Sequence, residues 1–288
     1  MKNFSGYSKT RPRFRTGTTS QFQKIIHAHY RTAGRSMPWR NAKNPYHIFV
    51  SEVMLQQTQV ERVREKYGEF IKKFPHFRAL SVASVSEVLR AWQGLGYNRR
   101  ALFLKRAAEE IVRVHGGKAP RETNDLEALA GIGPATARAI RAFAFNEPEV
   151  FIETNIRSVY LHFFFPKRKN VSDKKLLPLI EKTLDRANPR EWYYALMDYG
   201  AMLKKTIANP SRQSAAHKKQ PRFAGSLRET RGAIVRLLLH KAPYSLKEIQ
   251  KELPFEKERT IQAVRELEKE GLIKKSERNR YSISEKIS

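Results

Sequence analysis

From Gln21 to about Asn209, apolar residues return at three- and four-residue intervals with few breaks, as in "IFVSEVMLQQTQVERVREKYGEFIKKF" and "SVSEVLRAWQGLGYNRRALFLKRAAEEIVRVHGG". That period lines one face of successive helices with apolar side chains, and few segments show the two-residue alternation of a strand. Helix-breaking pairs separate the runs: Asn44-Pro45, Phe74-Pro75, Gly116-Gly117, Asn188-Pro189 and Asn209-Pro210. The expected fold class over residues 21–208 is all-α.

The pattern changes after residue 208. The stretch "NPSRQSAAHKKQPRFAGS", residues 209–226, is polar, basic and rich in Ser, Gln and Pro, and reads as a linker. Residues 227–288 form a second, smaller unit. "RETRGAIVRLLLHK", "SLKEIQKEL" and "EKERTIQAVRELEKEG" read as helices, and "LIKKSERNRYSIS" alternates around a polar turn as a hairpin does. Three helices followed by a hairpin is the order of a winged-helix-like domain, in which the helix over residues 256–270 would enter a major groove. Glu256, Glu258, Glu266, Glu268 and Glu270 on that helix weigh against base reading, and docking of a protein partner stands as an equal alternative.

Composition narrows the partner. Lys and Arg total 56 against 28 Asp and Glu, a formal charge of +28. Such an excess fits a polyanion, above all nucleic acid, whose phosphates give sequence-independent affinity by releasing counterions. A basic surface for solubility or for an acidic protein is the alternative. No apolar run approaches the roughly 18 residues needed to cross a bilayer. Residues 1–20 carry charge without an apolar signal core, and read as a flexible basic arm on a cytoplasmic protein, nucleoid-associated in a bacterium. With no cysteine in the chain, disulfides, thiolate nucleophiles, Cys-ligated zinc and iron–sulfur clusters are excluded by covalent chemistry.

Two motifs carry chemistry. "SEVMLQQTQV" sets Glu52 among Val53, Met54 and Leu55, where an unpaired carboxylate is costly. It is either a surface residue or an acid kept there for use. "LEALAGIGPATARAIRAFAF" ends one helix at a Gly-x-Gly turn and opens the next at Pro134, with Gly131, Gly133 and Thr136 around the turn. The turn's amides lie at the positive end of the second helix, an arrangement that holds phosphate without reading bases. A plain helix connection is the other reading, and the charge of the chain favours DNA.

"LAGIGPATA" resembles the helix-hairpin-helix motif of DNA glycosylases related to endonuclease III. "MPWRNAKNPYHIFVSEVMLQQTQVERV", "LRAWQGLGYNRRALFLKRAA" and "ALMDYGAML" resemble the adenine-specific, MutY-type branch, over about Gln21 to Leu203. The resemblance implies a two-lobed helical glycosylase that hydrolyses the N-glycosidic bond of a flipped-out base in mismatched duplex DNA, most simply adenine opposite 8-oxoguanine or guanine. It makes Glu52 the general acid that protonates the base, a task its apolar flanks suit by favouring the proton-bearing form. Glu153 stands where the family usually has an aspartate that stabilises the sugar cation, and its other reading is a cap on the helix that follows. Asn155 would orient that carboxylate. Gln56 and Gln57 match a glutamine pair near the lesion, Tyr97 a wedge in the base stack, and Arg99 and Arg100 are placed to reach phosphates. Ala135 occupies the position of the lysine with which bifunctional relatives form a Schiff base, so strand cleavage by that route is not expected. Backbone carbonyls near Leu129 and Ile132 match a monovalent-cation site of the superfamily.

The chain departs from the MutY pattern in two places. Where four cysteines would bind a [4Fe–4S] cluster, it reads "KKTIANPSRQSAAHKKQPRF", and Lys204, Lys205, Lys218 and Lys219 are expected to meet DNA phosphate instead. No cofactor is then required. The C-terminal unit stands in place of a MutT-like domain, with a protein partner as one role. This leaves as alternatives a glycosylase for thymine or uracil opposite guanine or for a damaged purine, and a non-catalytic DNA-binding protein.

Overall fold

A computed structural model describes residues 19–42, 44–218 and 221–286. Most of the expected basic arm, and Lys219, lie outside the described residues. The first helices are α1 (Thr19–Ala33), α2 (Pro45–Leu55), α3 (Val60–Lys73), α4 (Phe77–Val82) and α5 (Val85–Trp92). Next come α6 (Arg99–His115), α7 (Thr123–Ala128), α8 (Pro134–Phe145), α9 (Thr154–Phe164), α10 (Asp173–Thr183) and α11 (Pro189–Thr206). A 3-10 turn, Pro210–Gln213, precedes α12 (Leu227–His240), β1 (Tyr244–Ser245), α13 (Leu246–Glu252), α14 (Lys257–Lys269), β2 (Ile273–Lys275) and β3 (Arg280–Ile283). The fold is mostly helical, as the periodicity predicts.

Local chemistry sets the helix ends. The Asn44 side chain accepts from the Tyr46 amide and Pro45 occupies the first turn of α2. Ser84 with Glu87 makes a capping box on α5, and Ser245 with Glu248 another on α13. Gly116, in the left-handed region, closes α6.

Two compact units result, one built from residues 19–35 and 147–218, the other from 36–146 and 221–286. In the first, Phe22 of α1 is buried with Tyr160, Phe163 and Trp192 around it edge-on, at centroid distances of 5.3, 5.2 and 5.7 Å. Asp198 in α11 is buried and accepts from both the backbone N–H and Nε of Arg35, each at 2.7 Å. The expected linker is in part folded here. Ser211 is buried, its hydroxyl 2.6 Å from that of Ser158 on α9, and Ser214 forms a parallel bridge with Val171.

The second unit joins α2–α8 to the C-terminal elements, which corrects the expected separation of domains at residues 209–226. Its apolar core runs without interruption from Phe49, Trp92 and Leu104 to Ile234, Leu238 and Val264. Polar contacts fix the junction: the Glu285 carboxylate accepts from the first amides of α5, Val85 at 2.8 Å and Ser86 at 3.4 Å, and Arg90 donates to the Leu239 carbonyl at 3.2 Å. The strands form one antiparallel sheet of order β1-β3-β2. The β2–β3 hairpin lies where alternation predicts it, while β1, two residues long, has no period to read. Glu266 on α14 and Glu270, the residue that ends it, pair with Arg231 of α12 at 2.8 and 2.5 Å.

Candidate functional site

The second unit assembles its site from the end of α2 and the α7–α8 turn. Glu52 is half-buried on α2 between buried Ser51 and buried Val53 and Met54. One turn further, Gln56 donates through Nε2 to the Gly131 carbonyl and to Thr136 Oγ1, both at 3.2 Å. The acid-bearing helix is thereby tied to the helix-hairpin-helix turn.

The two glycines of that turn have different reasons to be there. Gly131 has φ +77°, and a Cβ on it would lie 2.8 Å from Cβ of Phe103, so both backbone and packing require glycine. Gly133 has an ordinary φ of −91° and nothing within 4 Å of a would-be Cβ, so neither backbone nor packing requires glycine there. Ala135 is exposed in the first turn of α8, whose leading amides have no acceptor within the helix.

Arg100 requires a correction. It is 8% exposed and cannot reach phosphate. Its Nη1 donates to the Val53 and Met54 carbonyls, both at 2.8 Å, and its Nη2 to Thr58 Oγ1 at 2.8 Å and the Gly96 carbonyl at 3.1 Å. Burial pulls its pKa down to about 10, so the guanidinium stays charged at neutral pH. The segments it clamps include two unusual backbones: Gln57 at φ +55° and Tyr97 at φ +48°, both exposed. Left-handed conformations in residues other than Gly and Asn cost energy, and strain held by surrounding structure is a mark of functional positions. Arg99, by contrast, is exposed.

In the first unit, Glu153 is half-buried and caps α9. One carboxylate oxygen accepts from the Asn155 and Ile156 amides at 2.7 and 2.8 Å, the other from Asn155 Nδ2 at 3.3 Å. Lys204, expected on DNA phosphate, lies in α11, is half-buried, and donates from Nζ to Asn155 Oδ1 at 2.7 Å. Burial lowers its pKa, with Glu153 opposing the shift. Lys205 and Lys218 are exposed.

Gly200 permits this cluster, because a Cβ there would sit 2.4 Å from the Asn155 carbonyl oxygen. Gly200→Ala must push α11 from the first turn of α9, at a cost of about 1–3 kcal/mol. Thermal unfolding should show that loss, and an unchanged midpoint would contradict the close approach.

Residues 50–184 match the family described as "HhH-GPD superfamily base excision DNA repair protein". These residues form an HhH-GPD domain. Curated relatives include the adenine DNA glycosylases of Buchnera aphidicola, 33% identical over 63% of this chain and 52% of that protein, and of Mus musculus, 32% identical over 68% and 40%. That of Mycobacterium tuberculosis is 40% identical over 46% of this chain and 44% of its own. The chain thus spans about half the length of the curated relatives it matches. A solved thermostable thymine-DNA glycosylase shares the fold, with a TM-score of 0.58 at 24% identity over 69% of this chain and 98% of that one.

The HhH-GPD resemblance raises two metal questions. An iron–sulfur cluster does not fit: no cysteine exists to bind it, and Ser211 and Ser214 close the segment with hydrogen bonds. Among the described residues, no group of three or more His, Cys, Asp or Glu gathers as metal ligands. At the expected cation position, the Leu129 carbonyl accepts from the Ile132 amide at 3.1 Å. Its second lone pair is the one such an ion would use.

Two buried or half-buried polar contacts escaped the sequence reading. Lys204 lies in a helical run whose other polar residues gave no hint of its partner. Asp198 did carry a signal, an acid in the apolar run "ALMDYGAML", the same anomaly that singles out Glu52.

Proposed function

We propose that the chain is a monofunctional DNA glycosylase that releases adenine mispaired with guanine or 8-oxoguanine from duplex DNA. The observation that carries this reading is the tie between the acid-bearing helix and the phosphate-type turn: Glu52 on α2, and Gln56 bonded to Gly131 and Thr136. This tie supports Glu52 as a proton donor beside a held backbone, and the names of the curated relatives, adenine DNA glycosylases, support adenine as the base.

In the reaction, Glu52 transfers a proton to N7 of the flipped adenine, the C1′–N9 bond breaks, and the base leaves with both bonding electrons. The sugar cation is stabilised by the Glu153 carboxylate and captured by water, which gives up a proton. Gln57, Tyr97 and Arg99 contact the opened duplex, with Lys205, Lys218 and Lys219 on the phosphates. The carbonyls of Leu129 and Ile132 hold a monovalent cation at the turn. The C-terminal elements act as a winged helix, a reading supported by the helix order and by the antiparallel sheet that closes them.

With Ala135 in place of a lysine, the product is an intact abasic site. Strands from the A:G duplex should break only after hot alkali, and borohydride should trap no covalent complex. A trapped complex would contradict the monofunctional reading.

Glu153 allows a second test, because its cap geometry and its charge are separable. Glu153→Gln keeps an oxygen for the Asn155 and Ile156 amides and removes the charge. The rate of release should fall about 10²–10³-fold with little change in melting, as for loss of an electrostatic stabiliser. Glu153→Ala should lower both. A Gln variant that is fully active would leave Glu153 as a cap alone.

A further inference from the structure

Arg228, near the start of α12, reaches the loop that carries Tyr97. Its Nη1 donates to the Tyr97 hydroxyl at 2.9 Å and its Nη2 to the Pro221 carbonyl at 2.8 Å. Its guanidinium carbon lies 5.9 Å from the centre of the Tyr97 ring, and that of Arg100 lies 5.6 Å from the same ring. One exposed aromatic, in a left-handed backbone conformation, is therefore held by a buried cation of its own helical domain and by a second cation from the C-terminal elements.

The second cation is not loosely presented. The Pro221 carbonyl orients its fork, α12 is set against α5 by Arg90 on the Leu239 carbonyl, and Glu285, just after β3, accepts from the Val85 amide of α5. A planar guanidinium fixed on one side keeps its other N–H groups in a defined direction, which an ammonium does not. An aromatic plate that must enter a base stack benefits from such preorientation, since an interaction already in place costs less ordering on binding.

We propose that Arg228 is a positioning residue for Tyr97, so that the C-terminal elements take part in opening the duplex at the lesion. The proposal rests on the reading of Tyr97 as the wedge. Arg228 acts through the tyrosine hydroxyl, and losing either partner removes the same interaction.

The test is a double-mutant cycle in the full chain: wild type, Arg228→Ala, Tyr97→Phe and the double variant. Each is assayed for affinity to an A:G duplex whose target adenine carries a 2′-fluoro sugar, and for base extrusion by 2-aminopurine fluorescence at the target position. Each single variant should lower extrusion about five- to tenfold, the value of one net hydrogen bond, and the double variant should be no worse than either. Additive losses would overturn the proposal, as would an Arg228→Ala salt slope shallower by about one unit, the sign of a direct phosphate contact. If Arg228→Ala also lowers the melting midpoint, Tyr97→Phe, which removes that hydrogen bond alone and keeps the contacts of α12 and Glu285 with α5, decides: undiminished extrusion there overturns the proposal. A wild type that binds and extrudes without releasing any base would refute the glycosylase reading while the cycle still reports on Arg228. A wild type that does not extrude the base refutes the positioning role directly.

Discussion

Glu52→Gln is expected to lower the single-turnover rate of adenine release roughly 10²–10⁴-fold, the contribution of a positioned general acid, with duplex affinity and melting midpoint unchanged. The substitution keeps the size and shape of the side chain on α2, where Glu52 is half-buried between buried neighbours. It also leaves untouched the Gln56 contacts that tie the helix to the turn. In the proposed mechanism, what it removes is the proton that the departing purine receives. An amide cannot supply it at any ordinary pH, so a variant that binds normally and releases slowly isolates the chemical step. Equal rates in variant and wild type would remove Glu52 from the mechanism. A uniform loss of binding would place it among the contacts that hold DNA.

Arg100→Met is the second large effect, and it acts on the fold of the site. Methionine keeps an apolar stem and loses the guanidinium that serves Val53, Met54, Thr58 and Gly96. Two buried carbonyls at the end of α2 lose a charged donor, Val53 keeping only the long contact from the Gln56 amide at 3.4 Å, and at about 1–3 kcal/mol for each lost bond the unit should be destabilised by about 2–5 kcal/mol. Arg100→Lys should rescue little, because a single ammonium cannot span four acceptors set by a planar fork. Activity should fall even well below the melting transition, since the same side chain holds the end of the acid helix and the backbone preceding Tyr97. Chemical denaturation with base release at low temperature measures both. A variant as stable as wild type that binds DNA more weakly would return Arg100 to the phosphate role that the sequence suggested.

The Arg100 correction shows what sequence does and does not carry. "NRRA" reads as two surface arginines, yet Arg100 stands at helical spacing from Leu104, Ala108 and Ile111, all buried. The period that located α6 had already turned Arg100 inward, and the charge of the residue hid this. Helix positions, their caps and the α7–α8 turn were legible because they depend on neighbours in the chain. The role of Gly131 was only half legible, since its contact with Phe103 comes from a helix some thirty residues earlier. The union of α2–α8 with the C-terminal elements was not legible at all. It depends on Glu285 meeting the amides of α5, a pairing at a sequence separation of 200 that no local pattern encodes. The same holds for Lys204 and Asn155, which meet across 49 residues. Glu153 remained double-valued, because a carboxylate before a helix is as good a cap as it is a charge for a sugar cation.

The most direct test of the central claim is the identity of the base released by the full chain under single-turnover conditions. Duplexes with A:8-oxoguanine, A:G, T:G and U:G would be compared and the free base identified by mass. Release of adenine from the first two, with none from the pyrimidine mismatches, is the predicted result. Release of thymine or uracil, or tight binding with no base released from any duplex, would contradict it.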